Sequence, residues 1–291
     1  MHIFNEYAII YLIIFLIIYL IITELSNDNG TLSTNEFGIN LFSQRIVVSL
    51  TTSPRRISKI KPVIDCIMLQ TIKPDKIYLN LPYIFKRDDS TFEDPLPDFI
   101  LNNSLIYINW CDDIGPATKI LPTIEHEKDP ETLILSIDDD TYYPPKLLET
   151  FITFSKVYPD ACITGSSFIE DRKRRLPTDK YGTYVQLLEG FSGVLYKQKF
   201  LKNINKTGLN KNKSCYLADD FYLSNELLKQ NIPIIKIGSL YDAIHNIKQF
   251  DYGFNNDALH KQAILGLGNH LNYKKCSDFL KQNNELYIDY Y

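Results

Sequence analysis

The feature that most constrains the fold is an alternation of short apolar runs with amphipathic segments, which starts at residue 46. Apolar runs typical of buried strands occur at 46–50 (IVVSL), 76–81 (KIYLNL), 105–108 (LIYI) and 132–137 (TLILSI). Residues 60–68 and 147–155 instead place apolar side chains at helical spacing. The resulting order β-α-β-β-α-β predicts an α/β domain with a mainly parallel central sheet, and such sheets bind ligands at the carboxyl ends of their strands.

The size and charge of the chain limit the classes of function. The chain has 291 residues, 45% of them apolar, which is enough for the core of one large domain. Its net charge is -4, so it lacks the basic field that a nucleic-acid partner requires. The five cysteines are scattered and lack the spacing of a zinc site or a disulfide framework, which predicts that they are small buried apolar residues.

An unbroken apolar run occupies residues 7–22 (YAIIYLIIFLIIYLII) and is long enough for a short membrane span. Neither basic residues before it nor a small-residue cleavage site after it is present, which favours an uncleaved anchor over a signal peptide or a buried helix. The positive-inside rule has almost nothing to act on, so the orientation of this single-pass membrane protein stays open. We therefore predict an anchor over 1–25, a polar stem over 26–44, the α/β domain over 45–250 and a C-terminal helical extension over 251–291.

Three consecutive aspartates, Asp138, Asp139 and Asp140, follow the predicted strand that ends at Ile137. Their mutual repulsion at the mouth of a buried sheet calls for a cation or solvent, and hard oxygen ligands suit Mg²⁺ or Mn²⁺. Alternate residues of an extended segment point the same way, which predicts Asp138 and Asp140 at one metal site with Asp139 facing elsewhere. The alternatives are an acidic surface turn or an N-cap for a helix that begins near Pro144.

Three further elements accompany this motif: residues 46–56 (IVVSLTTSPRR), residues 112–119 (DDIGPATK) and the pair Asp219-Asp220. In this order, over residues 45–245, they resemble the glycosyltransferases of the GT-A fold, close to the family-2-like enzymes. The resemblance implies a Rossmann-like fold that transfers a sugar, with inversion, from a nucleotide-sugar donor to a glycan, protein or lipid acceptor. It also implies that Asp138 and Asp140 hold Mn²⁺ or Mg²⁺ on the donor diphosphate, where a Lewis acid stabilises the leaving group, with Asp139 as a further donor contact.

Candidate donor contacts lie in the loops after the first and third strands. The resemblance places the base and ribose near Thr51, Thr52 and Arg55, and the nucleotide-sugar near Asp113 and Lys119. A lysine in a first helical turn is suited to meet a phosphate together with backbone N–H groups. Ordinary turn residues and an exposed loop lysine are the alternatives. The second strand lacks the acidic residue that many relatives place against the base, which leaves the nucleotide unidentified.

Two candidates come from later loops. Gly193, the last residue of the sequence Gly-Phe-Ser-Gly that precedes a predicted strand, allows a ligand to approach the backbone closely, with a simple β-turn as the alternative. His245 follows the apolar run 232–237, where GT-A enzymes often supply a third metal ligand. A partly buried polar histidine is the alternative, and His260 and His270 compete for the same role.

The pair Asp219-Asp220 opens an amphipathic segment, residues 221–230 (FYLSNELLKQ), and favours two interpretations. One is N-capping of a helix. The other is catalysis, in which Asp220, or else Asp219, is the general base that takes the proton of the acceptor hydroxyl. Two rival functions stay open: a nucleotidyltransferase, which uses similar carboxylates but attacks phosphorus, and a non-catalytic sugar-binding or scaffolding membrane protein with the same fold.

Overall fold

A computed structural model of the chain describes residues 44–171, 181–238, 241–254 and 270–289. The predicted anchor and the stem up to residue 43 lie outside these residues. Within the described ranges, no helix has both the length and the apolar character that a membrane crossing requires.

A mixed sheet of eight strands forms the centre of the domain. The strands among the described residues are β1 Ile46–Thr51, β2 Lys76–Pro82, β3 Ile106–Cys111, β4 Leu133–Ser136, β5 Thr141–Tyr142, β6 Cys162–Thr164, β7 Gly182–Val185, β8 Val194–Lys197, β9 Ile234–Ile237 and β10 Lys248–Gln249. The order across the main sheet is β3-β2-β1-β4-β8-β6-β9-β7, and β10 pairs with β5 in a separate antiparallel ribbon. Neighbours from β3 to β4 are parallel, whereas β8 is antiparallel to β4 and to β6. The predicted mainly parallel α/β architecture is confirmed.

The helices of the described chain flank this sheet. They are α1 Lys61–Met68, α2 Asp98–Leu101, α3 Leu121–His126, α4 Leu147–Val157, α5 Gln198–Leu201, α6 Thr207–Lys211, α7 Lys213–Tyr216, α8 Asp219–Lys229, α9 Asp242–His245 and α10 His270–Gln282. The helices predicted over 60–68 and 147–155 are α1 and α4. The prediction that β2 and β3 follow one another directly is wrong, because two parallel strands need a crossover connection and this one contains α2.

The C-terminal segment joins the main hydrophobic core. Tyr273, Cys276 and Leu280 of α10 are buried in the same apolar cluster as side chains of β1, β4 and α8. Cys276 forms a disulfide with Cys215 of α7, across a sequence separation of 61 residues. The prediction that every cysteine is an isolated apolar residue is wrong for this pair, because the fold brings together two positions whose spacing carries no local signal. Cys66 and Cys162 are free and buried, as predicted.

Candidate active site

A cavity of about 550 Å³ opens at the edge of the sheet where the parallel strands end. Its walls come from the loops after β1, β2, β3 and β4, from the segment before β8, from the first residues of α8 and from α10. Because β8 runs opposite to β4, the residues that precede β8 lie at the same edge as the residues that follow β4. The cavity therefore lies where an α/β sheet is expected to bind its ligands.

The first of two charged clusters in this cavity, which we call the arginine cluster, centres on Arg56. Its Nη1 atom lies 3.1 Å from Asp139 Oδ1 and 2.9 Å from Asp140 Oδ2. Thr52 Oγ1 donates a hydrogen bond to Asp139 Oδ2 at 2.5 Å, and Gln249 Nε2 donates one to Asp140 Oδ2 at 3.1 Å. Burial raises the pKa of Asp139 to about 6, although Arg56 opposes the shift.

The second cluster, the lysine cluster, centres on Lys119. Its ammonium lies 2.9 Å from Asp138 Oδ1, 3.3 Å from Asp219 Oδ2 and 3.8 Å from Asp220 Oδ1. Burial alone would lower the pKa of Lys119, but the three carboxylates outweigh it and hold the pKa well above the usual value. Burial raises the pKa of Asp220 well above its usual range, Asp219 adds to the rise and Lys119 opposes it. One positive charge thus serves three carboxylates.

The carboxylates of α8 in the lysine cluster are incompletely hydrogen-bonded. Asp219 Oδ2 and Asp220 Oδ1 are buried and accept no hydrogen bond from the described residues. The other oxygen of Asp220 accepts a hydrogen bond from the backbone N–H of Gly190 at 3.0 Å. A buried carboxylate oxygen without a donor is costly, so these atoms favour a ligand that brings a proton or a positive charge.

The capping interpretation of Asp219 and Asp220 is not supported by the geometry of α8. The residue at the cap position is Ala218, and no side-chain hydrogen bond caps the helix. Asp220 instead reaches across to the backbone of Gly190. The two carboxylates still lie in the first turn, where negative charge is favourable to the helix dipole.

The protein contacts of the three aspartates do not alternate, and the shared metal site of Asp138 and Asp140 stays a prediction. Asp139 and Asp140 contact the same guanidinium, of Arg56, whereas Asp138 contacts Lys119. The reason is that β4 ends at Ser136 and the chain turns at residues 139–140, so the two-residue repeat of a strand does not continue through the motif.

Of the three predicted metal ligands, Asp138 and Asp140 line the cavity and His245 does not. No group of three His, Cys, Asp or Glu side chains among the described residues is arranged to hold an ion. The prediction for His245 is wrong in position: the residue is exposed at the end of α9, which packs against α4, and it is not part of the cavity wall. Of its competitors, His260 lies outside the described residues and His270 packs edge-on against Phe168.

The donor chemistry of the cavity nevertheless fits a hard divalent cation. Asp138 Oδ1 contacts Lys119, while the carboxylate as a whole is 30% exposed at the cavity wall. Asp140 lies two residues further on, with one oxygen on Arg56 and the other 3.3 Å from the Thr141 hydroxyl. Carboxylate oxygens are the ligands that Mg²⁺ and Mn²⁺ prefer.

The residues predicted to meet the base and ribose, Thr51, Thr52 and Arg55, all line the cavity. Thr51 Oγ1 donates a hydrogen bond to the carbonyl of Asn80 at 2.7 Å, and Thr52 belongs to the arginine cluster. Arg55 points towards solvent, with 69% of its side chain exposed, and pairs with Asp88 at 2.9 Å. Their contact with a nucleotide stays a prediction.

The loop after β3 is organised by Asp113. This buried carboxylate accepts hydrogen bonds from the backbone N–H groups of Lys86 and Gly115, each at 2.7 Å. Lys119 follows in a 3₁₀ turn over residues 117–119, and its ammonium contacts carboxylates where the sequence predicted a phosphate. The residues expected to bind the donor directly therefore first shape the loop and balance the acidic cluster.

Two glycines flank the segment before β8: Gly190, between the cavity residues Glu189 and Phe191, and the predicted Gly193, whose contact with a ligand stays a prediction. Gly193 has a φ of +83°, which favours glycine, but a side chain there would meet Phe151 and Leu135 of the core at 3.4 and 3.5 Å. At Gly190 an added Cβ would collide with the Lys119 ammonium and lie 2.9 Å from Asp220 Oδ1. A side chain at residue 190 would therefore displace the Lys119 ammonium or the Asp220 carboxylate from the lysine cluster.

Among the residues of the cavity wall that sequence reasoning missed are Arg56, Glu189, Gln249 and Tyr273. Arg56 follows the predicted Arg55 in the sequence. Only the path of the loop decides which of the two arginines points into the cavity. Gln249 arrives on β10 and Tyr273 on α10, both more than 100 residues after the aspartate motif. No local pattern marks such residues.

Comparison with known proteins gives a fold likeness at low sequence identity. No family model and no curated protein matches the sequence. Among solved structures, S. aureus TarS 1-349 in complex with UDP is 11% identical with a TM-score of 0.45, and the match covers 67% of this chain and 58% of that chain. S. aureus TarS 1-349 alone has the same identity and TM-score, with 82% and 80% covered. For the complex with UDP-GlcNAc the TM-score is 0.42 at 11% identity, with 67% and 56% covered.

Proposed function

We propose that this chain is a metal-dependent glycosyltransferase that transfers a sugar from a nucleotide-sugar donor to a hydroxyl acceptor with inversion. The observation that carries the proposal is the lysine cluster. It places a buried carboxylate of raised pKa, Asp220, in the wall of a cavity, with one oxygen that accepts no hydrogen bond from the described residues. A carboxylate with these properties is suited to accept a proton from a bound hydroxyl group.

The cavity has the size and the two ends that such a donor needs. Its volume of about 550 Å³ lies in the range of small-molecule sites. We assign the end of the cavity next to the carboxyl ends of β1 and β2, with Thr51, Thr52 and Arg55, to the nucleotide. The opposite end lies between β4 and β8 and contains Asp220 and Glu189, and we assign it to the sugar and the acceptor.

In the proposed reaction the acceptor oxygen attacks the anomeric carbon while its proton passes to the Asp220 carboxylate. The bond between the anomeric carbon and the diphosphate oxygen breaks, and its electron pair leaves with the nucleoside diphosphate. Attack from the face opposite the leaving group inverts the anomeric centre. Mn²⁺ or Mg²⁺, held by Asp138 and Asp140, would supply Lewis-acid stabilisation of the leaving diphosphate.

Lys119 positions the base in this proposal. Its ammonium keeps three carboxylates together in one cluster and favours their ionised forms. The Gly190 N–H binds one oxygen of Asp220 and leaves the other directed to its surroundings without a hydrogen bond. The base therefore has a fixed orientation before any substrate binds.

We further propose that residues 7–22 anchor the enzyme in a membrane as a single-pass protein, with its orientation open. The acceptor is a glycan, a protein or a lipid. Carbonate extraction of membranes tests the anchor: the full-length chain should remain in the pellet. Release of the intact chain into the supernatant contradicts the anchor without touching the proposed chemistry.

The proposed activity is tested by incubation of the detergent-purified chain with a panel of nucleotide-sugars and Mn²⁺. We expect nucleoside diphosphate to be released from one donor class, and chelation to stop the release. Release of pyrophosphate would instead identify a nucleotidyltransferase. Donor binding without turnover against glycan, protein and lipid acceptors would favour the non-catalytic alternative.

A further inference from the structure

We propose that Tyr273, on the C-terminal helix α10, contacts the sugar of the donor, and that the disulfide between Cys215 and Cys276 fixes it in that position. The inference rests on the proposed function, because it names a recognition group at the sugar end of the same cavity. From the sequence, α10 is connected with the site only through His270 as a competing metal ligand, and nothing there marks Tyr273.

The ring of Tyr273 is fixed beside the proposed base. Tyr273 lines the cavity although only 5% of the residue is exposed. Its ring stacks on Phe221, which follows Asp220 in α8, with centroids 5.6 Å apart and planes 27° apart. A second stacked contact joins it to Phe168 at 6.4 Å and 7°. With an edge-on contact to His270 at 6.3 Å, three aromatic contacts leave the phenol little freedom to move away from the cavity.

The phenol hydroxyl is available to a ligand. No group in the described parts of the chain forms a hydrogen bond with it, and the hydroxyl is not among the buried polar atoms that lack a partner. Burial raises the pKa of Tyr273 well above its usual value, and Asp220, Asp219 and Glu189 add to the rise. The hydroxyl therefore keeps its proton at neutral pH and can donate it in a hydrogen bond.

The chemistry around this phenol suits a sugar. Each sugar hydroxyl both donates and accepts hydrogen bonds, so its binding site needs donors and acceptors side by side. Here the acceptors are carboxylates: Asp220, and Glu189, whose Oε2 already accepts a hydrogen bond from Ser166 at 2.6 Å. A neutral phenol adds a donor to a wall that is otherwise rich in acceptors.

The disulfide connects the phenol and the base through a short path. Cys276 lies three residues after Tyr273 in α10, and Cys215 lies in α7, which ends at Tyr216, three residues before Asp219. A second link joins the tail after α10 to α8, because the Asn225 side chain accepts a hydrogen bond from the N–H of Tyr287 at 2.7 Å and donates one to the carbonyl of Glu285 at 2.8 Å. The position of Tyr273 relative to Asp220 thus depends on contacts outside the cavity.

The test compares binding of nucleoside diphosphates with binding of the matching nucleotide-sugars. The full-length chain is titrated calorimetrically, with Mn²⁺, against UDP, GDP and ADP and then against UDP-glucose, UDP-GlcNAc, GDP-mannose and ADP-glucose. For the pair that the wild type binds, Tyr273→Phe should weaken nucleotide-sugar binding about three- to tenfold, as loss of one hydrogen bond predicts, and leave diphosphate binding unchanged. Tyr287→Phe is the matched control: this tyrosine is 46% exposed on the same tail outside the cavity, and neither affinity should change.

The role of the disulfide is tested with a further variant in the same titration. Cys276→Ala should reduce the ratio of nucleotide-sugar to diphosphate affinity in the same direction as Tyr273→Phe. If Cys276→Ala fails to fold, the tyrosine variant still decides the inference. Equal ratios for wild type and Tyr273→Phe overturn this inference alone, whereas a wild type that binds no member of the panel contradicts the proposed function as well.

Discussion

The arginine cluster and the lysine cluster lie in one cavity and contain adjacent residues of one motif, yet their charges are balanced differently. Arg56 serves two carboxylates, whose oxygens also accept hydrogen bonds from Thr52 and Gln249. Lys119 serves three carboxylates, and two of their buried oxygens accept no hydrogen bond from the described chain. The first cluster is close to satisfied and the second is not.

The difference indicates which cluster holds the loops and which one does chemistry. A satisfied buried network stabilises one arrangement of the chain and gives a ligand little to improve. A buried network with carboxylate oxygens that accept no hydrogen bond destabilises the fold. A substrate proton or a cation that binds those oxygens reduces this cost. Proteins tolerate such local conflicts mainly at functional sites. We therefore expect substitutions in the lysine cluster to change turnover, and substitutions in the arginine cluster to change stability.

The largest effect is expected for Asp220→Asn. Asparagine keeps an oxygen for the Gly190 N–H but cannot take a proton, so turnover should fall by about 10²- to 10⁴-fold while donor affinity and thermal midpoint barely change. Initial rates of nucleoside diphosphate release and thermal denaturation measure the two quantities. Asp219→Asn is the matched control. A kinetic defect in that variant alone would transfer the base to Asp219, and no defect in either would end the inverting assignment.

Arg56→Met is expected to act on stability. It leaves Asp139 and Asp140 buried without their guanidinium, and the loss of one partner from a buried pair typically costs about 3–5 kcal/mol. Urea denaturation gives the change in unfolding free energy. Arg55→Met is the matched control, because that neighbouring side chain is 69% exposed, and its effect should stay within about 0.5 kcal/mol. Similar losses in the two variants would mean that the arginine cluster is not a structural unit.

The metal dependence of diphosphate binding also distinguishes the two clusters, because Asp138 and Asp140 belong to different ones. If Asp138 and Asp140 hold the ion together, as proposed, Asp138→Asn should lower the Mn²⁺-dependent affinity for the diphosphate about tenfold and leave the affinity in chelator unchanged. Titration of the diphosphate with Mn²⁺ and with chelator measures both values. A metal response that survives Asp138→Asn but disappears in Asp140→Asn would assign the ion to the arginine cluster and reverse the comparison.

The smallest effect concerns a charged pair outside the cavity. Its carboxylate is both ion-paired and hydrogen-bonded, so it is a reference for the two clusters. Arg45 Nη2 lies 2.8 Å from Glu127 Oε1, and the Tyr78 hydroxyl donates a hydrogen bond to the same carboxylate at 2.7 Å. Burial alone would raise the pKa of Glu127, but the hydrogen bonds from Arg45 and Tyr78 outweigh it and lower the pKa from its usual 4.5.

Because the folded-state pKa of Glu127 is lowered, its stabilisation is complete above pH 4.5 and is lost as pH falls through the folded-state value. Glu127→Gln should therefore cost about 1 kcal/mol of unfolding free energy at pH 7, and this cost should shrink as the medium is acidified below pH 4.5. Urea denaturation of both proteins across this pH range gives the difference. A cost that does not depend on pH would mean that the charge of Glu127 is not what stabilises the pair.

Local patterns predicted the parts of this molecule that local physics determines. The runs at 46–50 and 132–137 became strands because apolar, β-branched stretches bury well in a parallel sheet. The alternation of strands and helices also predicted that the cavity lies at the carboxyl ends of the parallel strands. The side chain that each aspartate of the motif contacts could not be predicted, because a turn at residues 139–140 ends the two-residue repeat of the strand. Gln249 and Tyr273 could not be found either, since each reaches the cavity from a position distant in sequence.

The place of α10 in the chain has a consequence for biosynthesis. A polypeptide emerges from the ribosome N-terminus first, and its earlier segments can begin to fold before the later ones exist. Residues 46–237 supply every strand of the main sheet and both charged clusters apart from Gln249, so the acidic floor of the cavity can form while residues 270–289 are still unmade. Tyr273 and the partner of Cys215 are made only after these residues. A nascent chain therefore holds the carboxylates of both clusters before it holds this cavity wall, and the Cys215–Cys276 disulfide can form only once α10 has been made.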